Sequence, residues 1–235
     1  METKRDWCRV RSILDDFELY CPSPKDFNDP FDCRIPPLGD VDPNFARYLI
    51  DPSDQNWPPG PLTASEESDL YQTLERVQER IYANGVLSLA AARDSTLMWS
   101  HYARDHRGIA LEFDTAIWCD QMPYITGQFF PVLYSEQRIS LNLVRSEFDE
   151  AQFFNSTILT KDRCWESEQE WRIITKNPSS LKFPPSALTG IIFGCRTPER
   201  TKEKLLKICK KLPEVTRHQS EIRTDDFGLY FKPYE

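Results

Sequence analysis

Glycine is scarce, with eight residues in 235, and none falls in a Gly-x-Gly-x-x-Gly run or a lysine-bearing phosphate loop. The common nucleotide-binding turns are therefore unsupported. The chain also lacks a Gly-x-Ser-x-Gly elbow and a His-Glu-x-x-His helix, so the usual hydrolase templates find no nucleophile or metal pair. Only three histidines are present, and His101 and His106 are five positions apart, not the four that put two ligands on one helix face. No metal is expected. Seven cysteines occur without a Cys-x-x-Cys spacing, an odd number that fits free thiols in a reducing compartment better than a disulfide framework. No apolar run approaches the roughly 20 residues that span a bilayer. The opening Met-Glu-Thr-Lys-Arg-Asp-Trp lacks the apolar core of a signal peptide. These absences predict a cytoplasmic chain with no membrane partner. Positive charge is not in excess either: 29 basic against 37 acidic residues give a net charge of −8, which argues against a surface that coats nucleic acid.

What remains is an ordinary globular composition, 40% hydrophobic and 28% charged, long enough to bury a sizeable core. Residues 8–11 and 17–21 read as short extended pieces, and Asn28-Asp29-Pro30 is turn chemistry. Residues 36–64, rich in Pro and Asp, read as a surface loop. Leu70, Leu74, Val77 and Ile81 recur at helical spacing, with an acidic start at Ser65-Glu66-Glu67 and Gly85 beyond the end. A second helix from about Ser95 is expected to carry Leu97, Met98, His101 and Tyr102 on an apolar face. Residues 143–158 suggest another helix. Thr197 is expected to cap the last one, with Pro198 at its first position and Leu205, Cys209 and Leu212 inside. Strands are expected at 86–89, 109–113, 131–134, 171–175, 190–194 and 227–231. With no internal repeat and no regular strand–helix alternation, the sum is a single α+β domain over 1–235, with a mixed or largely antiparallel sheet and packed helices.

The densest chemistry lies in residues 161–172, Lys-Asp-Arg-Cys-Trp-Glu-Ser-Glu-Gln-Glu-Trp-Arg. Glu168 and Glu170 are two apart at the mouth of a strand, and a side-chain period of two would put both carboxylates on one face. Paired carboxylates can hold a sugar hydroxyl while a cationic transition state forms. Trp165 and Trp171 bracket the pair, as a flat surface for a ring or as packing. Lys161 and Arg172 can neutralise it. On a first strand, Arg9 and Arg11 would face one side, either as solvated edge residues or as a fork suited to a diphosphate. His101 and Tyr102 read as core residues or as a pocket wall. Two other classes stay open: a metal-dependent phosphodiesterase or nuclease using His101 with Asp29, Asp32 and the glutamates, and a non-catalytic ligand-binding or interaction module.

In order along the chain, Cys8-Arg-Val-Arg-Ser12, Phe-Asn-Asp-Pro-Phe-Asp at 27–32, Met-Trp-Ser-His-Tyr-Ala at 98–103, the Gly108 strand start, the 161–172 segment and Ile-Ile-Phe-Gly at 191–194 resemble a bacterial family known as the domain of unknown function numbered 2971. Val10 stands where that family usually has an aromatic residue. A looser similarity is to the R-S-E pattern of ADP-ribosyltransferases, and it implies a core of that kind. Carried onto this chain, Arg11 or Arg9 would anchor the diphosphate of NAD as substrate, and Ser23 would steady the nicotinamide ribose. Glu170 would hold the ribose 2′-hydroxyl and Glu168 would orient the nucleophile. Phe27, Asn28, Asp29, Phe31, His101, Tyr102 and Trp165 would line the cleft. Ser23 departs from the pattern by sitting in Cys-Pro-Ser-Pro. What this resemblance implies is an NAD-consuming ADP-ribosyltransferase or NAD glycohydrolase. Its acceptor, macromolecular or small, is unread, and a toxin or defence role restrained by an inhibitory partner protein would be compatible.

Overall fold

A computed structural model describes residues 4–35, 42–54, 56–125, 128–138 and 150–234. The chain begins with helix α1 (Lys4–Asp15), not with the strand expected at 8–11. Val10 and Leu14, four apart, are both buried, and this spacing suits a helix better than the alternation of Arg9 and Arg11 suits a strand. Phe17, at φ 54, turns the chain into strand β1 (Glu18–Cys21). Residues 24–26 then form a 3-10 turn. Helix α2 (Pro43–Ile50) lies inside the stretch expected as a loop, which corrects that reading. Asp42 caps it by accepting from the backbone of Asn44 and Phe45 at 3.1 Å, and Pro43 sits at its first position.

Helix α3 (Ala64–Tyr82) starts with a reciprocal capping box between Thr63 and Glu66, one turn-signal earlier than Ser65. Strand β2 (Gly85–Ala90), helix α4 (Thr96–Tyr102), strand β3 (Ile109–Phe113) and helix α5 (Thr115–Gln121) follow. Two short strands, β4 (Phe130–Pro131) and β5 (Leu133–Ser135), occupy the segment expected as one. Helix α6 (Glu150–Leu159) matches the later part of the helix expected at 143–158; residues 143–149 of that expectation lie outside the described residues. Strand β6 (Thr160–Asp162) leads through a 3-10 turn, Arg163–Glu168, into β7 (Glu170–Thr175). The chain ends with β8 (Ser179–Lys182), β9 (Leu188–Phe193), α7 (Glu199–Cys209), β10 (Thr216–Ile222) and β11 (Leu229–Pro233). Pro198, not Thr197, occupies the cap of α7, and the Thr197 hydroxyl donates to the Gly108 carbonyl at 2.7 Å.

The strands form a four-stranded sheet, β11-β10-β9-β3, and a three-stranded sheet, β2-β7-β4, with two further pairs, β1-β8 and β5-β6. β9 and β10 are parallel and joined through α7, whereas β3–β9, β10–β11, β2–β7 and β4–β7 are antiparallel. This is an α+β domain with mixed, mostly antiparallel sheets. Its larger core joins α1, α5 and α7 to β9 through Leu14, Trp118, Ile191, Phe193 and Leu205. A smaller core joins α2, α3 and α6 through Phe45, Ile81, Phe153 and Ile158. The three-stranded sheet lies between them: Leu87 and Ile173 belong to the larger core, Val86 and Ile174 to the smaller. The residues of β7 that share the Ile174 face are Glu170 and Arg172.

Candidate functional site

Lys161, on β6, is 6% exposed and sits at the centre of the site. Its Nζ donates to Glu168 Oε2 at 2.5 Å and to Glu170 Oε2 at 2.9 Å, and lies 3.8 Å from Asp32 Oδ2. Arg172, fully buried, donates through Nε to Glu170 Oε1 at 2.7 Å and through Nη2 to Glu170 Oε2 at 3.1 Å. It also forks onto Asp32, with Nη1 to Oδ1 at 2.9 Å and Nη2 to Oδ2 at 2.6 Å. The Ile158 carbonyl accepts a further bond from Nη1. At the outer end, the Tyr102 hydroxyl donates to Glu168 Oε1 at 2.8 Å. Three carboxylates and two cations thus run in one buried chain from Asp32 through Arg172, Glu170 and Lys161 to Glu168.

Four segments build this cluster. The turn at 27–32 and Cys33 are tied to α3 by Gln78, which accepts from Ile35 N at 2.8 Å and donates to the Cys33 carbonyl at 3.1 Å. That tie sets Asp32 against Arg172. Glu168 ends the 3-10 turn and Glu170 begins β7, with Gln169 between them in the left-handed region at φ 47. The two glutamates converge on Lys161 across this kink, not through the strand period expected from sequence.

Charge follows from the geometry. Burial works to lower the Lys161 pKa, but Glu170, Glu168 and Asp32 outweigh it and raise it, so the ammonium is retained. Burial pushes Glu170 up, and Arg172 with Lys161 reverse this, holding it down at about 2. The Tyr102 hydroxyl is pushed up to about 12 by burial and then by its bond to Glu168. Burial keeps the Cys33 thiol well above its ordinary value, against the pull of Arg172. A carboxylate offers about four acceptor sites. Glu170 accepts three N–H bonds, one from Lys161 and two from Arg172. Glu168 accepts from Tyr102 and Lys161.

The sequence-derived residues divide into three groups. Glu168, Glu170, Tyr102 and Trp165 do come together: Lys161 Nζ lies 5.0 Å from the Trp165 ring. His101 is 5.9 Å from Trp165 and 6.3 Å from Tyr102, centroid to centroid. It is exposed, which corrects its assignment to an apolar face; the buried side of α4 carries Trp99, followed by the buried Ala103 at the helix end. Asn28 is exposed. A second group supports the fold. Phe27 lies under Arg172 at 5.6 Å, and Asp29 accepts from Phe31 N at 2.9 Å to shape the turn. Ser23 donates to the Tyr82 carbonyl at 2.6 Å, pinning the turn after β1 to the end of α3. Third, Arg9 and Arg11 are exposed on α1, where positions two apart point about 200° apart instead of to one side. Among the described residues, the cations on Glu168 and Glu170 are Lys161 and Arg172.

The sequence suggests Arg172 as a neutralising residue and Asp32 as part of a metal-dependent alternative; their bidentate pairing, 140 positions apart, has no local signal. Among the described residues no group of three or more His, Cys, Asp or Glu side chains could hold a metal ion. No helix there is long and apolar enough to cross a membrane. The seven cysteines are free, three of them buried. Two cavities adjoin β7 and β6. One of about 670 Å³ lies on the Trp171 side of β7, between Leu89 and Phe113, away from the ion chain. The other, about 330 Å³, reaches Lys161 from the Phe31 side.

Residues 98–173, about a third of the chain, match the model of a family described as "Protein of unknown function (DUF2971)". That span takes in Tyr102, Lys161, Glu168, Glu170 and Arg172 and agrees with the family resemblance read from the motifs. Neither the curated proteins nor the solved structures gave a match.

Proposed function

We propose that this chain binds a nucleotide of the NAD class at the face formed by Tyr102, Glu168, Lys161 and Trp165, and cleaves its nicotinamide–ribose bond, as ADP-ribosyltransferases and NAD glycohydrolases do. The observation that carries this reading is the asymmetry of the two glutamates. Glu170 accepts three N–H bonds from the two buried cations Arg172 and Lys161, whereas Glu168 accepts from Tyr102 and Lys161 and lies behind the half-exposed Tyr102 ring. Departure of nicotinamide leaves a ribose with oxocarbenium character, which a fixed carboxylate stabilises electrostatically. In this reading Glu168 takes that role and accepts from a ribose hydroxyl. Glu170 holds Lys161 and Arg172 in place, which departs from the role the sequence resemblance implies for it. His101 and Trp165 supply ring surfaces beside Tyr102.

Nicotinamide release from NAD tests the proposal directly. The wild-type chain is expected to release it, and Glu168→Gln, which keeps the side chain's shape, to slow release by about 10²–10³-fold with NAD binding retained. EDTA is expected to leave release unchanged; cleavage of a phosphodiester that EDTA abolishes, with no nicotinamide released, would favour the metal-dependent alternative. A second reading draws on the 5% exposure of Glu168 and its neutralisation by Lys161: the face is then a ligand-binding site without turnover. NAD would bind, no nicotinamide would appear, and Glu168→Gln would alter affinity alone. A wild-type chain that neither binds NAD nor releases nicotinamide would sink both.

A further inference from the structure

The cavity of about 330 Å³ beside Lys161 is distinct in character from the ring-lined face just described, and its walls carry residues that no motif singled out. Arg34 and Arg138 both line it, and Lys161 forms part of its wall. Arg34 and Arg138 are exposed, and neither has an ion-pair partner among the described residues. Arg138 stands over the Phe31 ring at 5.0 Å, and that ring is 66% exposed at the cavity. Acidic side chains are present too, but both are engaged. The Asp162 carboxylate accepts from Cys164 N at 2.8 Å, and Glu136 pairs with Arg163 at 3.2 Å. What the cavity offers an incoming ligand is therefore two guanidinium forks, a lysine behind them, the Thr160 side chain and an aromatic face.

We infer that this cavity is a subsite for a nucleoside diphosphate group, with Arg34 and Arg138 on the phosphate oxygens and Phe31 beneath the base. Guanidinium groups match phosphate geometry with paired N–H donors, which a point-charge ammonium cannot do. The Phe31 ring supplies stacking that inorganic anions cannot use. Lys161 joins this cavity to Glu168, so one extended ligand would lay its diphosphate here and its reacting sugar against Glu168. The biological ligand in that picture rests on the proposed NAD chemistry; binding of a nucleoside diphosphate does not. It also moves the diphosphate from Arg9 and Arg11, on α1, to two arginines on loops that flank β6.

Calorimetric titration of the full chain with ADP and, separately, with inorganic pyrophosphate tests the assignment without any turnover. ADP is expected to bind, and Arg34→Ala and Arg138→Ala each to weaken it about tenfold, the loss of one charged hydrogen-bonding partner. Phe31→Ala is expected to weaken ADP and leave pyrophosphate unchanged. Circular dichroism and a thermal melt establish that these exposed positions leave the fold intact. Failure of the wild-type chain to bind ADP would overturn the subsite, as would a double Arg34→Ala, Arg138→Ala variant that binds ADP like the wild type. Equal affinities for ADP and pyrophosphate, unmoved by Phe31→Ala, would overturn the nucleoside assignment. A chain that binds ADP through these arginines yet releases no nicotinamide keeps this subsite and loses the preceding reading. The reverse result would separate the two in the opposite sense.

Discussion

Strands β7 and β9 each carry an Ile-Ile pair at the heart of a sheet, yet they fill the interior in opposite ways. In β9, Leu188, Ile191, Ile192 and Phe193 are all buried, and the strand has apolar neighbours on both faces. In β7, Ile173 enters the larger core while Glu170 and Arg172, on the other face, enter a charged interior shared with Asp32 and Lys161. Apolar burial of the β9 kind is worth roughly 1.5–3 kcal/mol per large side chain. A buried ion network is different: its Coulomb energy is largely offset by the loss of hydration, so its presence adds little while the removal of one member costs much. β9 therefore serves stability. The β7 end fixes where charged groups stand, beside the half-exposed Tyr102 and the cavity that reaches Lys161.

The largest expected effect that separates the two regions is Arg172→Met. It leaves Asp32 and Glu170 buried without their shared cation and is expected to cost about 3–5 kcal/mol in urea unfolding. Ile191→Ala in the apolar core is expected to cost a comparable 2–5 kcal/mol, by leaving a cavity. The difference lies in pH: the Arg172→Met loss is expected to shrink on acidification as Glu170, deprived of that cation, takes up a proton, and the Ile191→Ala loss to stay constant. An Arg172→Met cost below about 1 kcal/mol would mean that the network relaxes into water.

Acid titration of the wild-type chain gives the next largest effect. The folded pKa of Glu170 is about 2, below the ordinary carboxylate value of 4.5, so on acidification the unfolded chain takes up the proton first. The contribution of this group is thus complete above about pH 4.5 and falls away between there and about pH 2, by roughly 3 kcal/mol for a shift of that size. Lys161 keeps its proton through this window, because its pKa is raised. The measurement is the urea midpoint as a function of pH, with Glu170→Gln expected to flatten the profile. An equally steep profile in Glu170→Gln would place the acid sensitivity elsewhere.

Tyr102→Phe gives the smallest effect. It removes one hydroxyl bonded to Glu168 at the exposed edge of the network. A stability change of about 1 kcal/mol is expected by denaturation. In an alkaline absorbance titration, the tyrosinate signal expected of this hydroxyl at about pH 12 should be missing from the variant. A loss as large as that of Arg172→Met would show that the edge and the centre of the network act as one unit.

Some of this could be read along the chain because the governing interactions are local. α3 announced itself through Leu70, Leu74, Val77 and Ile81, and β2, β3 and β9 through runs of β-branched and aliphatic residues. The first element is a helix and not the expected strand because the four-residue spacing of the buried Val10 and Leu14 outweighs the Arg9/Arg11 alternation. β10 was missed for the opposite reason: Thr-Arg-His-Gln-Ser-Glu-Ile has little apolar content, and its place beside β9 comes from pairing, not propensity.

Glu168, Glu170, Tyr102 and Trp165 stood out early because aromatic and acidic residues crowd a few positions. Which glutamate carries more of the buried cations was not legible, since it depends on Arg172, on Lys161 one strand away and on a kink at Gln169. Asp32 meets Arg172 across 140 positions, and Arg34 and Arg138 reach one cavity from loops far apart in the chain. Composition and local spacing settled the α+β class and most of the helices and strands, because backbone propensity and side-chain period act over a few residues. Which charges are buried together, and which remain available to a ligand, was left to the packed structure, because desolvation and ion pairing depend on what long-range folding brings within about 4 Å.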